Sequence, residues 1–160
     1  MSKLEYHPEV FSLSTLVSQN IELLKGNAGL KNIFLQNNIG KDINVTADKN
    51  MIDTVLRNLL TNAVKFTGID GKVCIDARVF EKTIEVSVAD NGVGIMPEIM
   101  DKLFRIDQSF STTGTNGEVG TGLGLIICKE FIEKHGGQIK TESFPGGGTK
   151  FSFTLSKDFA

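Results

Sequence analysis

The chain has 160 residues, which predicts one domain with a single core, because a chain of this length buries roughly 70% of its unfolded surface without disulfides or metals. A formal net charge of -2, with 22% charged and 40% hydrophobic residues, argues against a disordered chain and against a nucleic-acid partner. No apolar run approaches the ~20 residues that span a bilayer, and the first ten residues lack the apolar stretch of a signal peptide, so we expect a soluble, cytoplasmic domain without direct membrane contact.

The first half of the chain predicts two helices separated by two short strands. Residues 11–29 carry aliphatic side chains at helical spacing with a serine available as N-cap, and this helix is expected to end near Gly26. Residues 31–39 and 43–48 are typical of short strands around a Gly-Lys-Asp turn. Asp48 then predicts the N-cap of a second helix over residues 49–66.

The second half predicts two hairpins and further helices. Residues 72–80 and 83–90 alternate apolar and polar side chains around a short polar turn, which indicates a hairpin. The segments that follow are a short helix to Phe104, a mobile loop over 106–122, a helix over 123–135 that ends at Gly136, and a last hairpin of 138–144 and 149–156. This order favours an α+β fold with helices on one face of a sheet.

The second predicted helix carries an unusual polar side. Asn58 and Asn62 lie one turn apart, although asparagine is a poor helix former. At 100° per residue, Thr54, Thr61, Asn62 and Lys65 all fall within about 60° of Asn58. This polar side is either a plain solvated surface or a site where amide oxygens bind a hard cation such as Mg²⁺ while Lys65 meets an anion.

Two glycine-containing segments are candidates for binding a ligand that approaches the backbone closely. Asp90 ends a predicted strand and precedes Asn-Gly-Val-Gly, which is either an ordinary turn or a carboxylate that accepts a hydrogen bond from an exocyclic amine such as that of adenine. Residues 120–125, Gly-Thr-Gly-Leu-Gly-Leu, open a predicted helix and could bind phosphate through backbone N–H groups. They match neither the P-loop pattern nor the Rossmann fingerprint, so those two nucleotide folds are disfavoured.

Four segments together resemble the ATP-binding boxes of the catalytic domain of sensor histidine kinases, in the gyrase, chaperone, histidine kinase and mismatch-repair ATPase superfamily. They are NLLTNAVKFT (58–67), DNGVGI (90–95), LFRIDQSF (103–110) and GTGLGL (120–125), and the resemblance extends from about residue 9 to 156. It implies that 1–160 is a single catalytic and ATP-binding domain, with 1–8 as a lead-in from a missing dimerisation domain. The implied fold is the Bergerat two-layer α/β sandwich, in which helices cover one face of a mixed, mostly antiparallel sheet.

The resemblance also implies roles for individual residues. Asn58 and Asn62 match the asparagines that meet Mg²⁺ and phosphate, and Lys65 matches a phosphate-facing lysine; these three are the implied catalytic residues. Asp90 matches the adenine-binding aspartate. The other implied ATP-binding residues are Phe66 beside the nucleotide, Gly92, Gly94 and Ile95 along the base, Thr149 near the adenine, Phe104 of the phenylalanine box, Arg105 and Thr113 of the lid, and Gly120, Thr121, Gly122, Leu123, Gly124 and Leu125 of the second glycine box.

The implied activity is transfer of the γ-phosphoryl group of MgATP to a histidine. Related ATPases carry an acidic general base one turn before the metal-binding asparagine, where this chain has Asn58, so hydrolysis by water is expected to be slow. His7 precedes a proline and His135 ends a predicted helix, so neither is expected to accept the phosphoryl group.

The expected partners are therefore outside the chain. They are a histidine-containing dimerisation domain of the same kinase and, indirectly, a response regulator, in a parent protein that could be anchored in the inner membrane. Two alternatives stay open from the sequence: a nucleotide-sensing interaction module without kinase activity, and a protein serine kinase of the anti-sigma-factor type.

Overall fold

Residues 5–100 and 124–156 are described by the structure, a computed structural model, and they form both helices and strands. In chain order these are β1 (Pro8–Ser12), α1 (Leu13–Leu30), β2 (Phe34–Asn37), β3 (Asn44–Asp48), α2 (Lys49–Phe66), β4 (Lys72–Val79), β5 (Thr83–Asp90), α3 (Pro97–Met100), α4 (Gly124–Lys134), β6 (Ile139–Ser143) and β7 (Thr149–Ser156). The remainder of the predicted short helix up to Phe104 and the predicted loop over 106–122 lie outside the described residues.

The main sheet has five strands in the order β2-β4-β5-β7-β6. Strand β2 pairs with β4 in parallel, and the other neighbours pair antiparallel. Both predicted hairpins are present as β4–β5 and β6–β7. The mixed, mostly antiparallel sheet under helices confirms the predicted α+β fold.

A second, two-stranded sheet pairs β1 with β3 antiparallel, with Pro8 opposite Asp48 and Ser12 opposite Asn44. Strand β1 was not predicted from the sequence. The two strands on either side of the Gly-Lys-Asp turn were predicted, but they do not pair with each other, since β2 joins the main sheet and β3 joins β1. Their partners come from distant parts of the chain, which a local pattern does not identify.

The core lies between the helices and one face of the main sheet. Alternate residues of β4, β5 and β7 point towards the helices, and most of them are buried, while the intervening residues are half-buried or exposed apart from Ser152 of β7. Buried sheet residues and the apolar sides of α1, α2 and α4 form one hydrophobic cluster. Val79 shares the inward alternation of β4 but is 48% exposed.

The helix ends follow their capping residues. Ser12 Oγ accepts the Thr15 N–H at 3.3 Å at the start of α1, and Asp48 Oδ1 accepts the Met51 N–H at 3.1 Å at the start of α2, as predicted. The predicted end of α1 near Gly26 is wrong, since the helix continues to Leu30. A Cβ at Gly26 would meet nothing within 4 Å, so this glycine is a solvent-side helix residue and not a cap.

Helix α4 ends as expected at a glycine cap. The Gly136 N–H donates to the Glu133 carbonyl at 2.9 Å and the Gly137 N–H to the Ile132 carbonyl at 3.0 Å, with Gly136 at φ 72°. Among the helices of the described ranges, none combines the length and the hydropathy needed to cross a membrane.

Candidate functional site

The polar side of α2 is neither a fully solvated surface nor part of the core. Asn58 and Asn62 are half-buried, while Thr61 is exposed. The Asn58 side chain donates from Nδ2 to the Thr54 carbonyl at 3.0 Å, which leaves its Oδ1 to act as an acceptor. The opposite side of α2 is in the core, where five residues are at most 4% exposed: Ile52, Leu56, Leu59, Leu60 and Ala63.

The last turn of α2 contains Lys65 and Phe66 and is hydrogen-bonded to a buried side chain. Lys65 is only 7% exposed, and its Nζ lies 4.8 Å from the centre of the Phe66 ring. The carbonyl of Lys65 accepts a hydrogen bond at 3.2 Å from Nζ of Lys31, which is buried just after α1. Because a positive charge at a helix C-terminus is favourable, Lys31 stabilises this turn.

Asp90 ends β5, the central strand of the main sheet, and its side chain is on the face that the helices cover. Its Oδ1 accepts the Gly92 N–H at 2.8 Å. Burial raises the pKa of Asp90 to about 6, and hydrogen bonds from the backbone N–H groups of Gly92 and Thr149 oppose this rise only in part. A carboxyl group that has lost much of its water is favourable for binding a hydrogen-bond donor, and a raised pKa in a recess is typical of functional sites.

Three polar residues lie side by side across the main sheet. Asp90 of β5 is opposite Thr149 of β7, and Thr149 is opposite Ser143 of β6. Cross-strand neighbours of this kind point to the same face of a sheet. Ser143 Oγ lies 2.8 Å from Thr149 Oγ1 and accepts the Ile95 N–H at 2.7 Å, so the row reaches the loop that follows β5.

The loop over 91–95 connects α2 to the turn between β6 and β7. The Val93 N–H donates to the Phe66 carbonyl at 3.2 Å, and the Val93 carbonyl accepts the Gly146 N–H at 2.6 Å. Gly94 has φ 77°, and a Cβ there would overlap the Phe144 carbonyl, so this close approach requires glycine. A Cβ at Gly92 would overlap the Phe66 carbonyl in the same way.

Helix α4 begins against the polar side of α2. A Cβ at Gly124 would lie 2.8 Å from Asn58 Oδ1, so the first residue of α4 is in direct contact with that amide. The side chain of Leu125 is 8% exposed and belongs to the hydrophobic core, which leaves only its backbone for a ligand.

The described residues therefore bring most of the predicted site together at one end of the main sheet. This region contains the half-buried amides of α2, its last turn, the carboxyl of Asp90, the loop over 91–95, Thr149 and the start of α4. The remaining predicted residues lie outside the described residues: Phe104, Arg105, Thr113, Gly120, Thr121, Gly122 and Leu123.

The donor set on α2 fits the divalent cation that the family implies. Asn58 Oδ1 is a hard, neutral oxygen that is not used by the Asn58–Thr54 hydrogen bond, and Asn62 is half-buried one turn further on. Mg²⁺ is bound in proteins through few protein oxygens together with water and phosphate oxygens, so two amide oxygens are compatible with such a site. Within residues 5–100 and 124–156, no three His, Cys, Asp or Glu side chains are grouped as a metal site of their own.

The two histidines lie away from this site. The Nε2 of His135 accepts the Asp48 N–H at 3.0 Å, and its Nδ1 is 2.7 Å from the Phe131 carbonyl, which requires the Nδ1–H tautomer. His135 therefore links the end of α4 to the start of α2. His7 is exposed, with Nε2 2.9 Å from Glu5.

Sequence reasoning missed Ser143 and Lys31. Ser143 lies next to a glycine-rich turn, and nothing in the local pattern separates it from a turn residue. Lys31 follows a helix and has the pattern of a solvated charge, yet it is 2% exposed. Both residues act through contacts with segments that are distant in sequence.

Comparisons with known proteins identify the family of the chain. The family of histidine kinase-, DNA gyrase B- and HSP90-like ATPases matches residues 47–158. The adaptive-response sensory kinase SasA of Synechocystis sp. is 35% identical over 161 residues, which cover 96% of this chain and 40% of SasA. The chain thus spans less than half the length of this curated relative.

Solved structures show the same fold. The catalytic domain of histidine kinase ThkA, in a nucleotide-free form, is 35% identical with a TM-score of 0.80, over 96% of this chain and 97% of that one. ThkA in complex with the response regulator protein TrrA is 31% identical with a TM-score of 0.77, over 96% of this chain and 42% of that one. The chain belongs to the histidine kinase-, DNA gyrase B- and HSP90-like ATPase family, and within it is the catalytic ATP-binding domain of a sensor histidine kinase.

Proposed function

We propose that this domain binds MgATP at the end of the main sheet and transfers the γ-phosphoryl group to a histidine on a separate helical dimerisation domain of the same kinase. The observation that carries the proposal is the position of Asp90. Its half-buried carboxyl group lies on the helix-covered face of the sheet, and the loop after it is hydrogen-bonded to the last turn of α2 through Val93 and Phe66. A base-binding carboxylate and a phosphate-binding helix are thereby connected.

Base recognition depends on Asp90. The ionised carboxylate accepts a hydrogen bond from the 6-amino group of adenine, and charge-assisted hydrogen bonds of this kind are roughly twice as strong as neutral ones. Gly92, Gly94 and Ile95 form the adjacent wall, and Thr149 lies beside Asp90 on the same face. Phe66 ends α2 next to this wall, through its hydrogen bond to Val93.

The triphosphate extends from the base towards α2 and the start of α4. Asn58 and Asn62 hold Mg²⁺ through their amide oxygens, and Lys65 binds the phosphates. A metal held by these two amides would supply charge neutralisation on the phosphoryl oxygens. By their match to the family's boxes, Gly120, Thr121, Gly122, Leu123 and Gly124 donate backbone N–H groups to phosphate, while Phe104, Arg105 and Thr113 belong to the covering lid.

The chemical step is an in-line displacement at the γ-phosphorus. A neutral histidine attacks through Nε2, the bond between the γ-phosphorus and the β–γ bridging oxygen breaks, ADP leaves, and the phosphoimidazole loses its Nδ1 proton to solvent. The histidine is its own nucleophile, so the domain contributes mainly positioning and charge stabilisation. The side chain of Asn58 does not accept a proton as a carboxylate would, which keeps transfer to water slow.

The acceptor lies outside this chain in this proposal. His135 uses both ring nitrogens, Nε2 in a contact with the start of α2 and Nδ1 in a contact with the Phe131 carbonyl of α4, and His7 is on the exposed segment before β1. A response regulator receives the phosphoryl group afterwards from the dimerisation domain. The domain works in the cytoplasm, whether or not its parent protein is anchored in the inner membrane.

Phosphotransfer with a labelled nucleotide tests this function. The domain is mixed with a histidine-containing dimerisation domain and ATP labelled in the γ-phosphate, and the partner should acquire acid-labile label that depends on Mg²⁺. Acid-stable label would instead indicate a serine kinase. Nucleotide binding without any label on the partner would indicate a sensing module.

A further inference from the structure

We infer that Ser143 is a positioning residue that sets the direction of the Thr149 hydroxyl group and thereby contributes to selection of a 6-amino purine over a 6-oxo purine. The inference deepens the proposed function and rests on it. It starts from the row of Asp90, Thr149 and Ser143, which are consecutive cross-strand neighbours on β5, β7 and β6.

The hydrogen bonds of Ser143 fix where its single proton goes. Its Oγ lies 2.7 Å from the Ile95 nitrogen, 3.0 Å from the Gly148 carbonyl oxygen and 2.8 Å from Thr149 Oγ1. The Ile95 N–H only donates and the Gly148 carbonyl only accepts. Ser143 therefore accepts from Ile95, and with its proton directed to the Gly148 carbonyl its contact with Thr149 has Thr149 as the donor.

The consequence concerns the lone pairs of Thr149. A threonine hydroxyl has one proton, and Ser143 takes it, so Thr149 presents only acceptor capacity to a ligand beside Asp90. Thr149 is 6% exposed, so it has little bulk water to compete for this proton. Asp90 is also an acceptor when ionised, and the two residues together form an acceptor-only wall.

An acceptor-only wall distinguishes purines at position 6. The amino group of adenine donates hydrogen bonds to these acceptors, directly or through a bound water. The carbonyl of hypoxanthine or guanine is itself an acceptor and leaves buried lone pairs facing each other, which is unfavourable. If Ser143 lost its hydroxyl, Thr149 could turn its proton towards the ligand and donate to a 6-oxo group.

The test compares the dissociation constants of MgATP and MgITP, which differ at position 6, for wild type and Ser143→Ala. Loss of one directed hydrogen bond of about 0.5–1.5 kcal/mol corresponds to a change of about two- to tenfold in the ITP/ATP ratio. We expect the ratio of the ITP dissociation constant to the ATP dissociation constant to fall by this amount in Ser143→Ala. In Ser143→Thr, which keeps a hydroxyl group, the ratio should return to the wild-type value. Ser87→Ala, a serine on β5 that points to the opposite face from Asp90, is the matched control and should leave the ratio unchanged.

A second variant separates positioning from a structural role. Thr149→Val removes the hydroxyl that Ser143 orients, so adding Ser143→Ala to it should produce no further change in the ratio. If Ser143 only supports the fold, Ser143→Ala lowers the affinities for both nucleotides in parallel, which overturns the inference. An unchanged ratio in Ser143→Ala, with ATP still bound, also overturns it while the proposed function stands. Failure of the wild type to bind ATP overturns both.

Discussion

Acidification should weaken nucleotide binding through one group, Asp90. Its pKa is raised to about 6 by burial, so the carboxyl group takes up a proton in a pH range where most other carboxyl groups stay ionised. The protonated carboxyl loses its charge-assisted hydrogen bond to the 6-amino group of adenine. The affinity should therefore fall as the pH passes below about 6.

The size of the effect follows from the ionised fraction. At pH 7.5 nearly all of Asp90 is ionised, and at pH 5, one unit below a pKa of about 6, only about one molecule in eleven is. If the ionised form alone binds, the dissociation constant rises about tenfold, or about 1.4 kcal/mol. This is an upper limit, because the protonated carboxyl still offers its carbonyl oxygen.

The same group acts in the opposite direction on folding. Its folded-state pKa lies above the ordinary aspartate value of 3.8, so ionised Asp90 disfavours the folded state at neutral pH. This penalty is relieved as the pH falls from about 6 towards 3.8. Protonation of Asp90 therefore stabilises the free domain over the same pH range in which it weakens nucleotide binding. Weaker binding at pH 5 would not reflect unfolding caused by this residue.

Calorimetric titration with adenosine measures this effect, because adenosine carries no phosphate that titrates between pH 5 and 7.5. Asp90→Asn is the control, since it should bind weakly at both pH values and show little pH dependence. The reasoning would be refuted by a wild-type dissociation constant that is the same at pH 5 and 7.5. An equal pH dependence in Asp90→Asn would refute it too, because the titrating group would then lie elsewhere.

Other substitutions test the site and the fold. Asn62→Ala should abolish Mg²⁺-dependent phosphotransfer while the circular dichroism spectrum stays that of wild type; transfer at the wild-type rate would count against the amide as a metal ligand. Asp48→Ala removes the N-cap bond to Met51 and should lower the free energy of unfolding in urea by about 1–2 kcal/mol; an unchanged urea midpoint would contradict that role. Gly148→Ala and Gly146→Ala both place alanine at positive φ, at 84° and 76°, and each should be destabilised by about 1–2 kcal/mol from this strain. Gly148→Ala should lower the free energy of unfolding more than Gly146→Ala, because a Cβ at Gly148 overlaps the Asp90 carbonyl whereas a Cβ at Gly146 meets nothing within 4 Å. Equal urea midpoints for the two variants would show that the overlap is relieved without cost.

Local signals were sufficient for much of the fold. Asp48 and the apolar side of residues 49–66 predicted α2 with the bounds observed, since capping and periodicity are properties of neighbouring residues. The end of α1 was misplaced at Gly26, because an exposed glycine within a helix costs about 1 kcal/mol and packing of the helix against α2 overrides it. Strand β1 was missed, since only its pairing with β3 makes residues 8–12 a strand.

In the candidate site too, some residues could be predicted from the local sequence and others could not. The asparagines of α2 and the turn after Asp90 carried a recognisable pattern of residue types. The contacts of Ser143 and Lys31 carried none, because they depend on strand register and on helix packing between segments far apart in the chain. Predicting which hydroxyl lies beside Thr149 requires knowing that β6 pairs with β7 in one particular register.

Strand β5 has a hydrogen-bonded neighbour on each side along its whole length, with β4 on one side and β7 on the other. Asp90 is therefore fixed to the most constrained element of the sheet before any ligand arrives, and little conformational entropy remains to be lost at that carboxyl group on binding. The base half of the ligand meets a preorganised receptor. Little ordering of this strand is therefore expected when a nucleotide binds.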